Sequence, residues 1–256
     1  MRVKIAVCQL RPEMGEPETN AERIVSHMDE GDVLVLPELF LTGYGTDCTG
    51  LDERVGRAVG ILQDACTDMD KAVAVGAPRY SGGRVYNSLA FISSKGTIWY
   101  DKIHLANFGV YAETGFTPGH DVVIGSYHGI RFGMCICYDV FFPEILRTCS
   151  VRGASVNICV AASAVQSKPF LDRILPARAL ENVSYTVYAN NVGPMAGLEM
   201  HGCSRGLDPF GDVLAEPSEG EYVTTMDVDT DRLAECRQVR RNLDDFRDDI
   251  PWLTWA

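Results

Sequence analysis

A thiol, a carboxylate and an ammonium each close a short apolar run in this chain. Cys137 follows "GIRFGMCI", Glu38 follows "DVLVLP" and Lys102 follows "TIWYD". Together such groups can break a C–N bond. A thiolate attacks the carbonyl carbon of a carboxamide or the carbon of a nitrile. Glu38 can take the thiol proton, pass it to leaving ammonia and then activate water. A carboxylate is a weak base at its ordinary pKa of about 4.3, so that role requires burial to raise it. Lys102, with a backbone N–H beside Cys137, can stabilise the oxyanion. Singly, each residue has an ordinary structural role: Glu38 as a solvated loop or cap, Lys102 as a solvated strand end, Cys137 as core. The set is chemically coherent, and in α/β sheets such strand ends commonly line the site crevice.

The elements that must position these residues are legible as alternating patterns. Strands are expected at Val3–Gln9, Val33–Leu36, Ala72–Ala77, Ser88–Ser93 and Ile98–Lys102. Further strands are expected at Val122–Ser126, Ile130–Ile136, Ser155–Val160, Thr186–Asn190 and Tyr222–Val228. Val55, Val59, Leu62, Cys66 and Met69 share one face of a helix over 52–70. Leu171, Leu175, Ala179 and Leu180 do the same over 168–183, with Pro176 bending that helix. Pro143 and Glu144 mark a helix start, which would favour a thiolate if it faced Cys137. Strands alternating with helices give an α/β class, and hairpin-like spacings near 77–100 and 120–136 make its sheets mixed.

Composition narrows the function. A net charge of −12 disfavours nucleic acid and anionic membranes as partners. No apolar run is long enough for a transmembrane helix, and the N-terminal run is too brief for a signal peptide. Nine scattered cysteines without a CxxC pair fit a reduced, cytoplasmic protein whose thiols are mostly core, Cys135 among them. The five histidines show no zinc-like spacing, so no metal or other cofactor is expected. One domain, 1–256, is expected, with its core at about 3–229. Trp252 and Trp255, in the tail at about 236–256, need a covering surface.

Beyond single residues, whole segments resemble the nitrilase superfamily of carbon–nitrogen hydrolases. "LPELFLTGY", "YDKIHL" and "CYDVFFPE" are similar to its Glu, Lys and Cys segments, in the same order. "ETGFTPG" resembles the stretch with its second glutamate, and "RALENVSYTVYANNVG" and "SRGLDPFGDVLAE" its later landmarks. The resemblance implies a four-layer αββα sandwich with two mixed sheets. It implies Glu38 as base, Lys102 as oxyanion stabiliser, Cys137 as nucleophile, the Tyr138 N–H as second oxyanion donor and Glu113 as a supporting residue. It also implies a homodimer or higher homo-oligomer, with the C-terminal tail crossing to a partner.

Tyr138-Asp139 after the nucleophile is similar to the amidase branches, whereas nitrilases usually carry Trp-Glu there. A small carboxamide and water are therefore the expected reactants. Tyr44, Phe141, Ala162, Gln166 and Arg173 are candidates for substrate contact, with Ala161, Ser163, Ala164, His104 and Phe108 beside them. His104 is expected to be structural rather than a second base. The alternatives are an N-carbamoyl amine or amino acid amidohydrolase, a nitrilase, a thiol redox sensor, or a non-catalytic binding protein on this fold.

Overall fold

A computed structural model of the chain describes residues 1–107, 112–216, 218–247 and 249. Phe108, Trp252 and Trp255 lie outside the described residues. In chain order the first strands are β1 (Arg2–Gln9), β2 (Val33–Val35), β3 (Ala72–Ser81), β4 (Arg84–Ser93) and β5 (Gly96–Asp101). Next come β6 (Ile124–Tyr127), β7 (Ile130–Ile136), β8 (Val156–Ala161) and β9 (Tyr185–Asn190). The rest are β10 (Val192–Met195), β11 (Leu198–His201), β12 (Arg205–Leu207), β13 (Val213–Ala215) and β14 (Tyr222–Asp229). The helices are α1 (Pro17–Val25), α2 (Asp52–Met69), α3 (Pro143–Val151), α4 (Lys168–Asn182) and α5 (Thr230–Val239).

Two six-stranded mixed sheets result, in the orders β14-β1-β2-β3-β4-β5 and β13-β12-β9-β8-β7-β6. Strand alternation assigns each side chain to a layer. In β1, Val3, Ile5 and Val7 join the layer between the sheets, while Ala6 and Cys8 join the layer under α1 and α2. In β7, Phe132, Met134 and Ile136 face the other sheet, while Cys135 packs in the layer with α3 and α4. The parallel strands β2 and β8 are buried throughout because both faces are covered, which is why they read as unbroken apolar runs. The order helix, sheet, sheet, helix is the expected αββα sandwich.

Some details differ from the sequence pattern. Met69 is exposed; it has the right helical angle but is the last residue of α2. Ala58 takes an inward position and Val59 is only partly buried. α4 runs through Pro176 without interruption, and Leu180 lies at its edge, partly buried. The strands β10 to β13 escape detection because each has three or four residues, and Gly193, Pro194 and Gly206 weaken their pattern. β10 and β11 form a separate two-stranded hairpin.

Candidate active site

Glu38 sits two residues beyond Leu36, whose N–H still pairs with Ala74 O (2.8 Å). Leu39 then adopts φ 50°, a left-handed turn that redirects the chain. The turn presses onto β3. A Cβ at Gly76 would collide with Glu38 Cα, the Leu39 nitrogen and the Pro37 carbonyl. Gly76→Ala is therefore expected to shift the Glu38 turn and lower turnover on the order of 100-fold, because misplacement by about 1 Å costs that much. Thermal melting should fall too, by about 1–3 kcal/mol of overpacking. Parent-like turnover by that variant would show that the turn does not set the site.

Glu38 is wholly buried and fully bonded. Its Oε1 accepts from Lys102 Nζ (2.7 Å) and Asn87 Nδ2 (2.7 Å), and its Oε2 accepts from Ala162 N (2.7 Å). Its backbone is tied to the second sheet, with its N–H near Ala161 O (3.4 Å) and its carbonyl accepting from Asn191 Nδ2 (2.8 Å). Lys102 follows β5 and is buried; its N–H donates to Asn87 O (2.8 Å) on the neighbouring strand β4. Its Nζ also reaches Glu113 Oε1 (2.8 Å). Glu113, likewise buried, accepts further at Oε1 from Asn87 Nδ2 (3.1 Å) and the Tyr44 hydroxyl (3.3 Å), and at Oε2 from Ala106 N (2.8 Å).

One ammonium thus lies between two carboxylates in a dry interior, and charge decides each titration. Burial lifts Glu38 from its ordinary range to about 7; Lys102 pulls it back and Glu113 pushes it further up. Burial also opposes ionisation of Glu113, but Lys102 outweighs it and holds that carboxyl below its usual value. Burial alone would neutralise Lys102; the two carboxylates win and keep it protonated. Glu38 is thus the member of the group that exchanges protons near neutrality.

Cys137 follows β7 directly and opens a short 3₁₀ turn, Cys137–Phe141, with φ 47°. Such a conformation is strained for a side-chain-bearing residue and turns the thiol out of the strand's alternation. Cys137 is partly buried and packs against both the inter-sheet layer and the α3–α4 layer. The turn is braced by Asp139, fully buried. Asp139 Oδ2 accepts from the Tyr100 hydroxyl (2.7 Å) and Ile136 N (3.2 Å), and its Oδ1 from His104 N (2.8 Å). His104 Nδ1 also meets Asp139 Oδ1 (3.0 Å), and its ring stacks on Phe142 at 3.5 Å. His104 is structural, as the sequence suggested. From α4, Arg178 Nε donates to Val140 O (2.8 Å) and its Nη2 to Phe141 O (3.2 Å).

The 3₁₀ turn separates Cys137 from α3, so the Pro143 helix start is not directly behind the thiol. Burial raises the thiol well above its usual range and the charge of Glu38 adds to that, while Lys102 and Ser163 pull the other way. The resting group is a thiol, and its proton must leave as attack proceeds.

The other candidates divide. Tyr44 joins the site by its bond to Glu113, and Ala162 by its N–H on Glu38. Tyr138 and Phe141 are partly buried on the Cys137 turn. Leu39, Tyr44, Ala162, Met195 and Met200 form an apolar cluster that brings the β10–β11 hairpin against the site, with Phe116 and Leu198 packed on it. Gln166 and Arg173 are not brought in: both are exposed, and the Arg173 guanidinium turns back onto the Pro169 carbonyl of its own helix. Asn87, Asp139, Arg178 and the Ser163 hydroxyl, which meets Cys137 Sγ at 3.4 Å, are the functional groups sequence reasoning passed over or left unassigned.

The chain matches the carbon-nitrogen hydrolase family over residues 4–238 and belongs to it, as an amidase-like hydrolase of the nitrilase superfamily. It is 34% identical to a nitrilase of Pyrococcus abyssi over 233 residues, 86% of each chain. It is 31% identical to the 2-oxoglutaramate amidase of Bacillus subtilis over 267 residues, 98% of this chain and 100% of that one. Among solved structures it superposes on an amidase from Nesterenkonia sp. AN1 in complex with acrylamide with a TM-score of 0.81, at 27% identity, covering 94% of this chain and 97% of that one.

Proposed function

We propose that this chain hydrolyses a small carboxamide to the carboxylic acid and ammonia through a thioester on Cys137. The carrying observation is Glu38: a buried carboxyl raised to about 7, bonded to an ammonium that stays charged, in one site with a half-buried thiol. A base with that pKa is matched to neutral solution. As sulfur attacks the carbonyl carbon, Glu38 takes the S–H proton. Lys102 and the Tyr138 N–H hold the oxyanion. Glu38 then gives its proton to the nitrogen, the C–N bond breaks and ammonia leaves. Glu38 next takes a proton from water, whose oxygen attacks the thioester. Collapse releases the acid, and Glu38 returns the proton to sulfur. Relatives named as amidases support the amide assignment, as does Tyr138-Asp139, whose short acid fits the brace beneath the turn. A related Nesterenkonia amidase shows Michael addition of acrylamide at its active-site cysteine, which supports a nucleophilic thiol here.

The test is an ammonia-release screen over aliphatic amides, ω-amides, N-carbamoyl amines, N-carbamoyl amino acids and nitriles. Amides should react fastest; a nitrile hydrolysed faster than every amide would overturn the assignment. With the best substrate, kcat/KM should rise with pH through about 7, as Glu38 ionises, and then level off. No falling limb should follow up to about pH 9, because Lys102 and Cys137 are both held protonated above their usual ranges. A limb near the ordinary glutamate value would show that Glu38 is not the titrating base.

A further inference from the structure

A second polar path reaches the Cys137 sulfur from the side away from Glu38. The Ser163 hydroxyl lies 3.4 Å from Sγ. Its backbone is clamped at two points: its N–H donates to Asn190 Oδ1 (2.7 Å) and its carbonyl accepts from Asn190 Nδ2 (3.1 Å). Two residues before Asn190, and so on the same face of β9, stands Tyr188, fully buried. Its phenol responds to Ser163 through hydrogen bonding and to the charge on Cys137. The Tyr188 hydroxyl in turn meets His201 Nε2 at 3.3 Å. His201 is held neutral: burial, then Arg205 and Lys168, push it down to about 4, against the pull of Asp172.

The tautomer follows from His201 Nδ1, which is buried and meets no partner among the described residues. A bare lone pair there is cheaper than an unpaired N–H. The proton then sits on Nε2, which must donate to Tyr188. Tyr188 is left to donate to Ser163, and Ser163 to sulfur. Every hydrogen in the chain points toward Cys137, which leaves the S–H free to point at Glu38.

We propose that Ser163, Tyr188 and His201 form a one-way donor chain that ends on the nucleophilic sulfur, Ser163 touching the reacting atom and Tyr188 and His201 positioning it. This rests on Cys137 being the nucleophile. The charged groups facing the sulfur are Glu38, Lys102 and Glu113; those facing His201 are Arg205, Lys168 and Asp172.

The test is the pH dependence of Cys137 alkylation by iodoacetamide, with the labelled residue located by mass spectrometry, alongside kcat and KM. Ser163→Ala should slow alkylation and kcat about tenfold at neutral pH, since a hydrogen bond to a charged group is worth about that factor. KM should change little, and the alkylation midpoint should move up. Tyr188→Phe should act in the same direction but less. The double variant should be no worse than Ser163→Ala, because Tyr188 acts only through Ser163. Ser163→Thr, which keeps the hydroxyl, should recover most of the rate. If Ser163→Ala does not fold, His201→Leu reads the chain from its partly buried far end, and an unmoved midpoint there overturns the proposal. Parent-like alkylation by Ser163→Ala, or losses that multiply in the double variant, would also overturn it. Labelling at a different cysteine would instead remove the nucleophile assignment.

Discussion

Cys137→Ala is expected to lower ammonia release by a factor on the order of 10⁴ or more, as removal of a covalent nucleophile does elsewhere. The fold should survive. The thiol's one hydrogen bond among the described residues is to Ser163, so melting should shift by no more than about 1 kcal/mol. Cys137→Ser should be nearly as inactive. A hydroxyl is much less acidic than a thiol, and Glu38, near pKa 7, is too weak a base to compensate. Ammonia assays beside thermal melts check both statements. Retained turnover in the alanine variant would remove the covalent mechanism altogether.

The second large effect falls on stability. Lys102→Met leaves Glu38 and Glu113 facing each other in the interior without the cation that both bond. Removing one partner of a buried ion pair costs about 3–5 kcal/mol. The loss should depend on pH. In the variant both carboxyls are pushed above their unfolded values, because burial now acts unopposed. Folded protein then holds protons that unfolded protein has released, so stability is greatest in acid and falls as pH rises past the ordinary glutamate range. Melting of parent and variant at pH 5 and pH 8 checks this, and turnover should be lost at both. A difference in melting that is larger at pH 5 than at pH 8 would contradict the charge account.

The strands that carry Glu38, Lys102 and Cys137 were legible because buried parallel strands are unbroken apolar runs and each chemical residue follows one. The supporting polar groups were not. Asn87 stands inside β4 in "RVYNSLAFIS", where a polar residue reads as a solvent-facing position. It is wholly buried and donates to both carboxylates. Ser163 sits in "VAASAV", where smallness conceals its hydroxyl. The positive φ of Cys137 had no signature, since cysteine is not a usual residue for that conformation. The arginine on α4 was legible in principle. Arg178 lies three residues after Leu175 and seven after Leu171, on the apolar face, whereas Arg173 lies off it. A charged residue on an inward face is the informative one, and Arg178 is the arginine that holds the Cys137 turn.

Glu38 is gripped from both sheets at once. Lys102 and Asn87 hold its carboxylate from the first, while Ala161, Ala162 and Asn191 hold its backbone and Oε2 from the second. The base therefore belongs to neither sheet alone and exists only when the two are docked and water is expelled from between them. For redesign this divides the molecule into unequal parts. The β10–β11 hairpin reaches the site with Met195 and Met200, so new side chains there can retune which acyl group is admitted. The spacing between the sheets cannot be traded in that way, because any change in it reaches the proton acceptor before it reaches the substrate.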